Sequence, residues 1–298
     1  MKKHFLILML LFVFLAFSAS GEVAAPQSSP APQTPLTVQG IEVTEEMEYL
    51  DLGKVKVEKY KDFTEELKQL PNLKKVDMFS SRPTEKQVWA LVETFPGIDF
   101  GFTMKIAGFN CRTDDVIFSM HRRGEPLYKS EAFQQLTLCP NMLALDLGHN
   151  RINDLSFLKN CTKLKYLILA DNKVTDLSVL AELKDLEYLE IFMNQVTDLS
   201  PLAELHELLD LNLVLNQITD LSPLYGLDKL ERVWLSRNGL PKEEVEALRA
   251  ALPRAEVNST TKMATTGGWR KHPRFFAMRH TFDKGIFIPF SSLMEEEK

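Results

Sequence analysis

The side chains of this 298-residue chain that could do chemistry are few, and their spacing argues against catalysis. The sequence contains no H-E-x-x-H, no G-x-S-x-G, no phosphate-binding P-loop and no dinucleotide fingerprint. Of its six histidines, His4 falls in an N-terminal leader, and His121, His149, His206, His272 and His280 lack metal-ligand spacing. His272 and His280 could approach one metal ion, but two tail histidines are more simply solvated. Asp154, Asp176, Asp198 and Asp220 recur as a column that would suggest calcium. Each is followed by Leu-Ser instead of Gly and further ligands, so capping of a short turn is the better reading. No catalytic residue, metal or cofactor is expected, and the chain reads as a non-enzyme.

That aspartate column belongs to a wider repeat. Asn150, Asn172, Asn194, Asn216 and Asn238 are 22 residues apart, as are Met142, Leu164, Leu186, Leu208 and Leu230. Between them Leu145 and Leu147, Leu167 and Leu169, Leu189 and Ile191, Leu211 and Leu213, and Val233 and Leu235 complete the pattern L-x-x-L-x-L-x-x-N. In Leu-x-Leu the two side chains share one face of a strand and the residue between them takes the other, so each repeat supplies one short strand of a parallel sheet. The asparagine then ends the strand, and its buried carboxamide is expected to bond backbone groups of its own coil and the next. Cys139 and Cys161, also 22 apart, fill the column taken later by Leu183, Leu205 and Leu227 and should point into the core of adjacent coils. They could be free thiols or a core disulfide. The leucine column favours free thiols, and Cys111 has no evident partner.

These repeats resemble the leucine-rich repeats of secreted bacterial proteins, in particular the 22-residue internalin-type class with its N-x-I-x-D-L-S-P-L run, over Met142 to about Asn238. The resemblance implies an α/β fold: a leucine-rich-repeat solenoid with a concave parallel β-sheet and short helical or 3-10 turns on the convex side. It also implies binding, usually of a protein, without identifying the ligand.

The remaining segments can be placed around that solenoid. Residues 1–20 combine Lys2 and Lys3, the apolar run Phe5–Phe17 and the small residues Ser18-Ala19-Ser20, as an export signal does. Residues 21–37 are a Pro/Ser/Gln-rich linker. No later segment is long and apolar enough to span a bilayer, so a secreted protein, extracellular or associated with the cell surface, is expected. Residues 38–141 keep the repeat grammar irregularly, at Met47, Leu50 and Leu52 and at Leu73, Val76 and Met78. Thr84-x-x-Gln87 reads as a capping box opening a helix that ends at Pro96-Gly97, and strands should follow through Ile98, Phe100, Phe102, Met104 and Ile106 and through Val116, Phe118 and Met120. This section is expected to be an irregular N-terminal part of the solenoid that shields the first regular coil, with a separate small α+β domain as the alternative. Residues 142–257 hold the regular repeats, closed by a capping helix over Lys242–Leu252.

Composition is ordinary for a globular protein, 45% hydrophobic and 26% charged, and a net charge of -6 argues against a duplex nucleic-acid binder. The last segment, 258–298, differs in character. From Ser259 onward it carries seven Lys and Arg against four Asp and Glu, with Trp269, Phe275, Phe276 and Phe282 interleaved. This basic aromatic tail could fold back on the solenoid, or meet wall polymer or an anionic surface, while single-stranded nucleic acid is disfavoured.

Function should lie on the outward side of the strands. A water-facing sheet alternates to polar residues, yet Tyr166, Ile168, Tyr188, Phe192, Met193, Val214, Leu215 and Trp234 are expected there, with Glu190, Asn212 and Arg237 among them. Such a patch resembles a recognition surface with anchor residues, so a protein or peptide ligand held on the concave face is the first expectation. The alternative is an envelope structural or adhesion protein that binds wall polymer or surface lipid through the basic aromatic tail. The patch could also be covered by the chain itself, with that tail the obvious cover.

Overall fold

The computed structural model describes residues 35–120 and 127–294. The expected export signal, most of the linker, His121 and the acidic end at 295–298 lie outside the described residues. From Thr37 onward the chain forms one compact unit.

It opens with a two-stranded antiparallel pair, β1 (Thr37–Val38) and β2 (Ile41–Glu42). Then come β3 (Tyr49–Asp51), α1 (Tyr60–Leu67), β4 (Lys75–Asp77), α2 (Glu85–Thr94) and β5 (Asp99–Gly101). The three strands are parallel and place Leu50, Val76 and Phe100 in one row. A helix stands between each strand and the next, in place of the short 3-10 turns of the later coils. The helix α2 starts where the sequence indicates. The Thr84 hydroxyl accepts from the Gln87 amide, and Gln87 Oε1 accepts from the Thr84 amide at 2.7 Å.

An antiparallel hairpin follows, β6 (Thr103–Ile106) and β7 (Phe109–Arg112). Its two-residue turn, Ala107-Gly108, has both φ angles positive, at 49° and 85°, which matches the twist of the strands it joins. The sequence had suggested one continuous strand here. The expected strand is instead divided at Phe102: β5 before it pairs parallel with β4, β6 after it pairs antiparallel with β7, and Phe102 and Met104 are buried.

The main sheet is parallel, and its seven strands are in sequence order: β8 (Ile117–Ser119), β9 (Ala144–Asp146), β10 (Tyr166–Ile168), β11 (Tyr188–Glu190), β12 (Asp210–Asn212), β13 (Arg232–Trp234) and β14 (Glu256–Asn258). Leu145, Leu167, Leu189, Leu211 and Val233 pair across neighbouring strands and are wholly buried. β8 belongs to the irregular section, so the ladder of hydrogen bonds crosses from it into the regular repeats. On the convex side each regular coil returns through a short 3-10 turn, for instance Ser178–Glu182 and Ser200–Leu202.

The asparagine ladder is built as the spacing requires, with one difference of direction. Asn194 Nδ2 donates to Ile191 O of its own coil and to Leu169 O of the coil before, while its Oδ1 accepts from Val174 N of that preceding coil. Asn172, Asn216 and Asn238 repeat this backward reach, and Asn150 finds the Tyr128 amide in place of a preceding regular coil. The carboxamide follows the end of its strand, where the preceding coil's amide is the one left unpaired.

The aspartate column caps, as expected. Asp154, Asp176, Asp198 and Asp220 each accept from the amide of the serine two residues on, at 2.8 Å. In the later three, hydrogen bonds from that serine hold the carboxyl below its usual range, its hydroxyl foremost at Asp176 and Asp198 and its amide foremost at Asp220. The helix α3 (Lys242–Ala251) buries Val245 and Leu248 against the last coil. β14 beyond it is an addition the repeat count had not included.

Candidate functional site

The outward side chains of the main sheet form columns, because strands in register repeat each position at one strand spacing. One column reads Ala144, Tyr166, Tyr188, Asp210, Arg232, and the next Asp146, Ile168, Glu190, Asn212, Trp234. The C-terminal segment lies across them. Its helix α4 (Pro273–Lys284) is delimited by sequence: the His272 side chain accepts from the Arg274 amide, Pro273 sets the first turn, and Gly285 ends the helix at φ 66°.

Trp269 is the centre of the contact. Its ring lies 5.1 Å from Trp234 and 5.7 Å from Tyr188, with the Arg232 guanidinium 4.4 Å from its centroid. Its indole N–H donates to Glu190 Oε1 and lies 3.0 Å from the Tyr188 hydroxyl, which itself donates to Glu190. Burial pushes the Glu190 carboxyl above the ordinary glutamate value, and the hydrogen bonds from Tyr188 and Trp269 oppose that rise. Phe290 stacks on Tyr166 at 4.5 Å, and the Tyr166 hydroxyl donates to Ile288 O at 2.7 Å. Asn212 donates to Ala264 O at 2.8 Å, and Trp234 Nε1 to Thr266 O at 3.0 Å.

A buried charge cluster sits beside these rings. Asp210 accepts two bonds from Arg232, at 2.8 and 2.6 Å, and two from Arg274 of α4, at 2.9 and 2.8 Å. Arg274 also reaches Glu231 at 2.6 Å. Burial works to raise the Asp210 carboxyl, but the two guanidiniums outweigh it and hold it below the usual aspartate range. Pairing of this kind is what makes a wholly covered carboxylate tolerable.

The sequence-derived ligand surface therefore needs correction as an open face. Tyr166, Ile168, Tyr188, Glu190, Phe192, Asn212, Val214 and Trp234 are brought together but buried under the chain's own tail. The physical reason is the same apolar character that singled them out: the cover is residues 264–293, which supply Trp269, Met278, Phe282 and Phe290. Met193, Leu215 and Arg237 are placed differently. They occupy the eighth position of each repeat, in the left-handed region at φ 57°, 60° and 64°, and their side chains line the strand-exit rim. Met193 is 42% exposed, Leu215 half-buried and Arg237 exposed. His149 and Asp171 continue that row and pair at 3.0 Å.

Between α4 and the upper sheet a cavity of about 340 Å³ remains. It exists because the seventh-position column begins with small residues, Gly148 and Ala170, before Phe192. Glu190 and Arg270 stand on its walls. Sequence reasoning missed Asp210, Arg232 and Arg274 as a cluster. Opposite charges 22 residues apart in an outward column were the available signal.

All three cysteines are buried and unbridged. Cys139 and Cys161 point into the core, and the nearest thiol to Cys139 is Cys111, 3.9 Å away. Among the described residues no group of three His, Cys, Asp or Glu could hold a metal ion, and no helix is long and apolar enough to cross a membrane.

Comparison with known proteins matches residues 140–182 and 162–204 to the family of leucine-rich repeats in two copies. No curated protein matches the chain. Among solved structures the chain is similar to internalin C2 from Listeria monocytogenes, at 25% identity over 74% of this chain and 85% of that one, with a TM-score of 0.43. It is also similar to an internalin, inlF, from the same organism, at 22% identity over 69% and 68% with a TM-score of 0.38. A leucine-rich-repeat protein from Leptospira interrogans gives 22% identity over 72% and 55%, with a TM-score of 0.38. Residues 140–204 thus match leucine-rich repeats, and the 22-residue parallel coils with their bonded asparagine ladder give the fold of a leucine-rich-repeat solenoid.

Proposed function

We propose that the protein is a non-enzymatic binding module that acts outside the cell, and that its protein or peptide ligand is taken by the surface the tail leaves open. That surface is the strand-exit rim at Met193, Leu215 and Arg237 with the adjoining cavity at Gly148, Ala170 and Phe192. The observation that carries this reading is the exposed Met193 beside Leu215, an apolar centre with the His149–Asp171 pair on one side and Arg237 on the other. An apolar anchor ringed by polar groups is the usual anatomy of an energetic centre in a protein interface. Action outside the cell rests on the leader-like residues 1–20.

A second reading has its own observation. Phe276 on the outer side of α4 is 59% exposed, and His280 and Lys284 follow at one-turn intervals on the same face, with Lys271 just before the helix. This face would suit an anionic wall polymer or lipid surface. Its reach is reduced because Trp269, Arg274, Phe282 and Phe290 are spent on the sheet.

A photo-reactive residue placed at position 193 or at position 276 of the full chain, irradiated on intact cells and in culture fluid, separates the two. A protein adduct at 193 is expected, together with at least about tenfold weaker capture of that partner by Met193→Asp combined with Leu215→Asp. Adducts confined to position 276, or none at 193, would overturn the rim reading.

A further inference from the structure

We propose that Cys111 and Cys139 form a disulfide when this chain folds in an oxidising environment, while Cys161 remains a free core thiol. Repeat arithmetic favours the other neighbour, since Cys139 and Cys161 are one coil apart. Tertiary placement does not. Cys111 lies on β7 of the inserted hairpin, Cys139 ends the 3-10 stretch Ser130–Leu138, and their sulfurs are 3.9 Å apart in the core. Both thiols also approach one acceptor, Arg112 O, at 3.5 and 3.8 Å. Cys161 is directed elsewhere, toward Leu136 O at 3.5 Å and Cys139 O at 3.8 Å.

Two thiols in van der Waals contact need only a small side-chain rotation to reach bonding geometry. The chemistry balances as exchange with a disulfide-bearing oxidant. One thiolate attacks the oxidant's disulfide and expels a thiol, and the second thiolate then attacks the mixed disulfide and expels the other. Two protons and two electrons leave the cysteines and appear as the oxidant's dithiol. The bond would tie the hairpin to the 3-10 stretch that leads into the first regular coil and close a loop that contains β8, the first strand of the main sheet. It would therefore fasten the hairpin beside the start of the seven-stranded sheet.

The surroundings set the timing. Hydrogen bonding to Cys139 and burial raise the Cys111 thiol, and burial pushes Cys161 up to about 12. Cys111 carries little thiolate in the folded protein and both sulfurs are buried from an oxidant, so the bond forms while the hairpin is still open, and a reduced folded chain oxidises slowly.

The test is refolding of the reduced, denatured full chain in a mixture of oxidised and reduced glutathione, followed by alkylation in denaturant and peptide mapping. This readout is independent of where the protein acts and of its ligand. One crosslink is expected, joining the peptides of Cys111 and Cys139, with Cys161 alkylated. Cys161→Ser should keep the crosslink, and Cys111→Ser should leave both remaining cysteines alkylated. Reductant should lower the melting temperature of the wild type and of Cys161→Ser but not that of Cys111→Ser. Three alkylated cysteines in the refolded wild type, or a Cys139–Cys161 crosslink, would overturn the proposal.

Discussion

Glu190 is a carboxyl buried on the concave face beneath the tail. It stands between Tyr188 and Trp269 with both as donors, and burial raises its carboxyl above the ordinary value of 4.5. A carboxyl raised in the folded state binds a proton that the unfolded chain has already released. Its contribution to stability is complete below about pH 4.5 and is lost as pH rises through the raised folded value. Asp210 has the opposite sign: its stabilisation is present at neutral pH and fades only as pH falls below the ordinary 3.8. The windows do not overlap. Glu190→Gln keeps an acceptor for the indole and cannot titrate, so chemical denaturation between about pH 4 and 8 should show its stability declining less with pH than that of the wild type. The difference in slope should reach at most about 1.4 kcal/mol per pH unit, the value for one proton. An equal slope in both proteins would show that folding leaves the proton affinity of Glu190 unchanged.

At the scale of elements, α4 and the turn before it behave as a docked piece of core. Trp269 fills the space over β11 to β13, and Arg274 fastens the start of α4 to β12. Trp269→Ala should cost about 3–5 kcal/mol, the range for emptying a large aromatic site, since it also strips a donor from Glu190. Amide exchange in Pro273–Lys284 should accelerate while the strand amides of β9 and β10 keep their protection. Phe276→Ala on the same helix should stay within about 0.5 kcal/mol, because its ring faces solvent. Equal losses from the two variants would mean that the tail is not docked as described. The boundaries of α4 were readable from His272-Pro273 and Gly285. Its docking position was not, because no local pattern says which distant face a helix will cover.

For the whole molecule the tail changes the kind of solenoid this is. Stacked repeats interact with their neighbours only, so their stability is close to a sum of local terms. Here one segment touches Tyr166, Tyr188, Asp210 and Trp234, which lie on four successive coils, and the Tyr166–Ile288 bond spans 122 residues of sequence. The wild type should therefore unfold in one transition seen alike by tryptophan fluorescence and far-ultraviolet circular dichroism. Asp210→Ala leaves two guanidiniums buried against each other, at a cost of about 3–5 kcal/mol, and should separate the two signals as the tail leaves first. Coincident transitions in the variant would count against the tail as the coupling element.

The sequence by itself determined the coil. A period of 22, the leucine columns, the asparagine ladder and the Asp-Leu-Ser caps are local or nearest-neighbour patterns, and the strands they require are present in register. Side-chain alternation likewise told which residues face outward from the sheet. Only tertiary structure decided what lies against them. Tyr188 and Trp234 are outward by their strand position, yet they are covered by residues dozens of positions away in the chain. Cys139 took Cys111 as its neighbour instead of the residue one period on, because an inserted hairpin packs there. Periodicity carries information between adjacent coils, whereas contacts made by a returning tail or an inserted hairpin depend on the folded surface and have no fixed spacing.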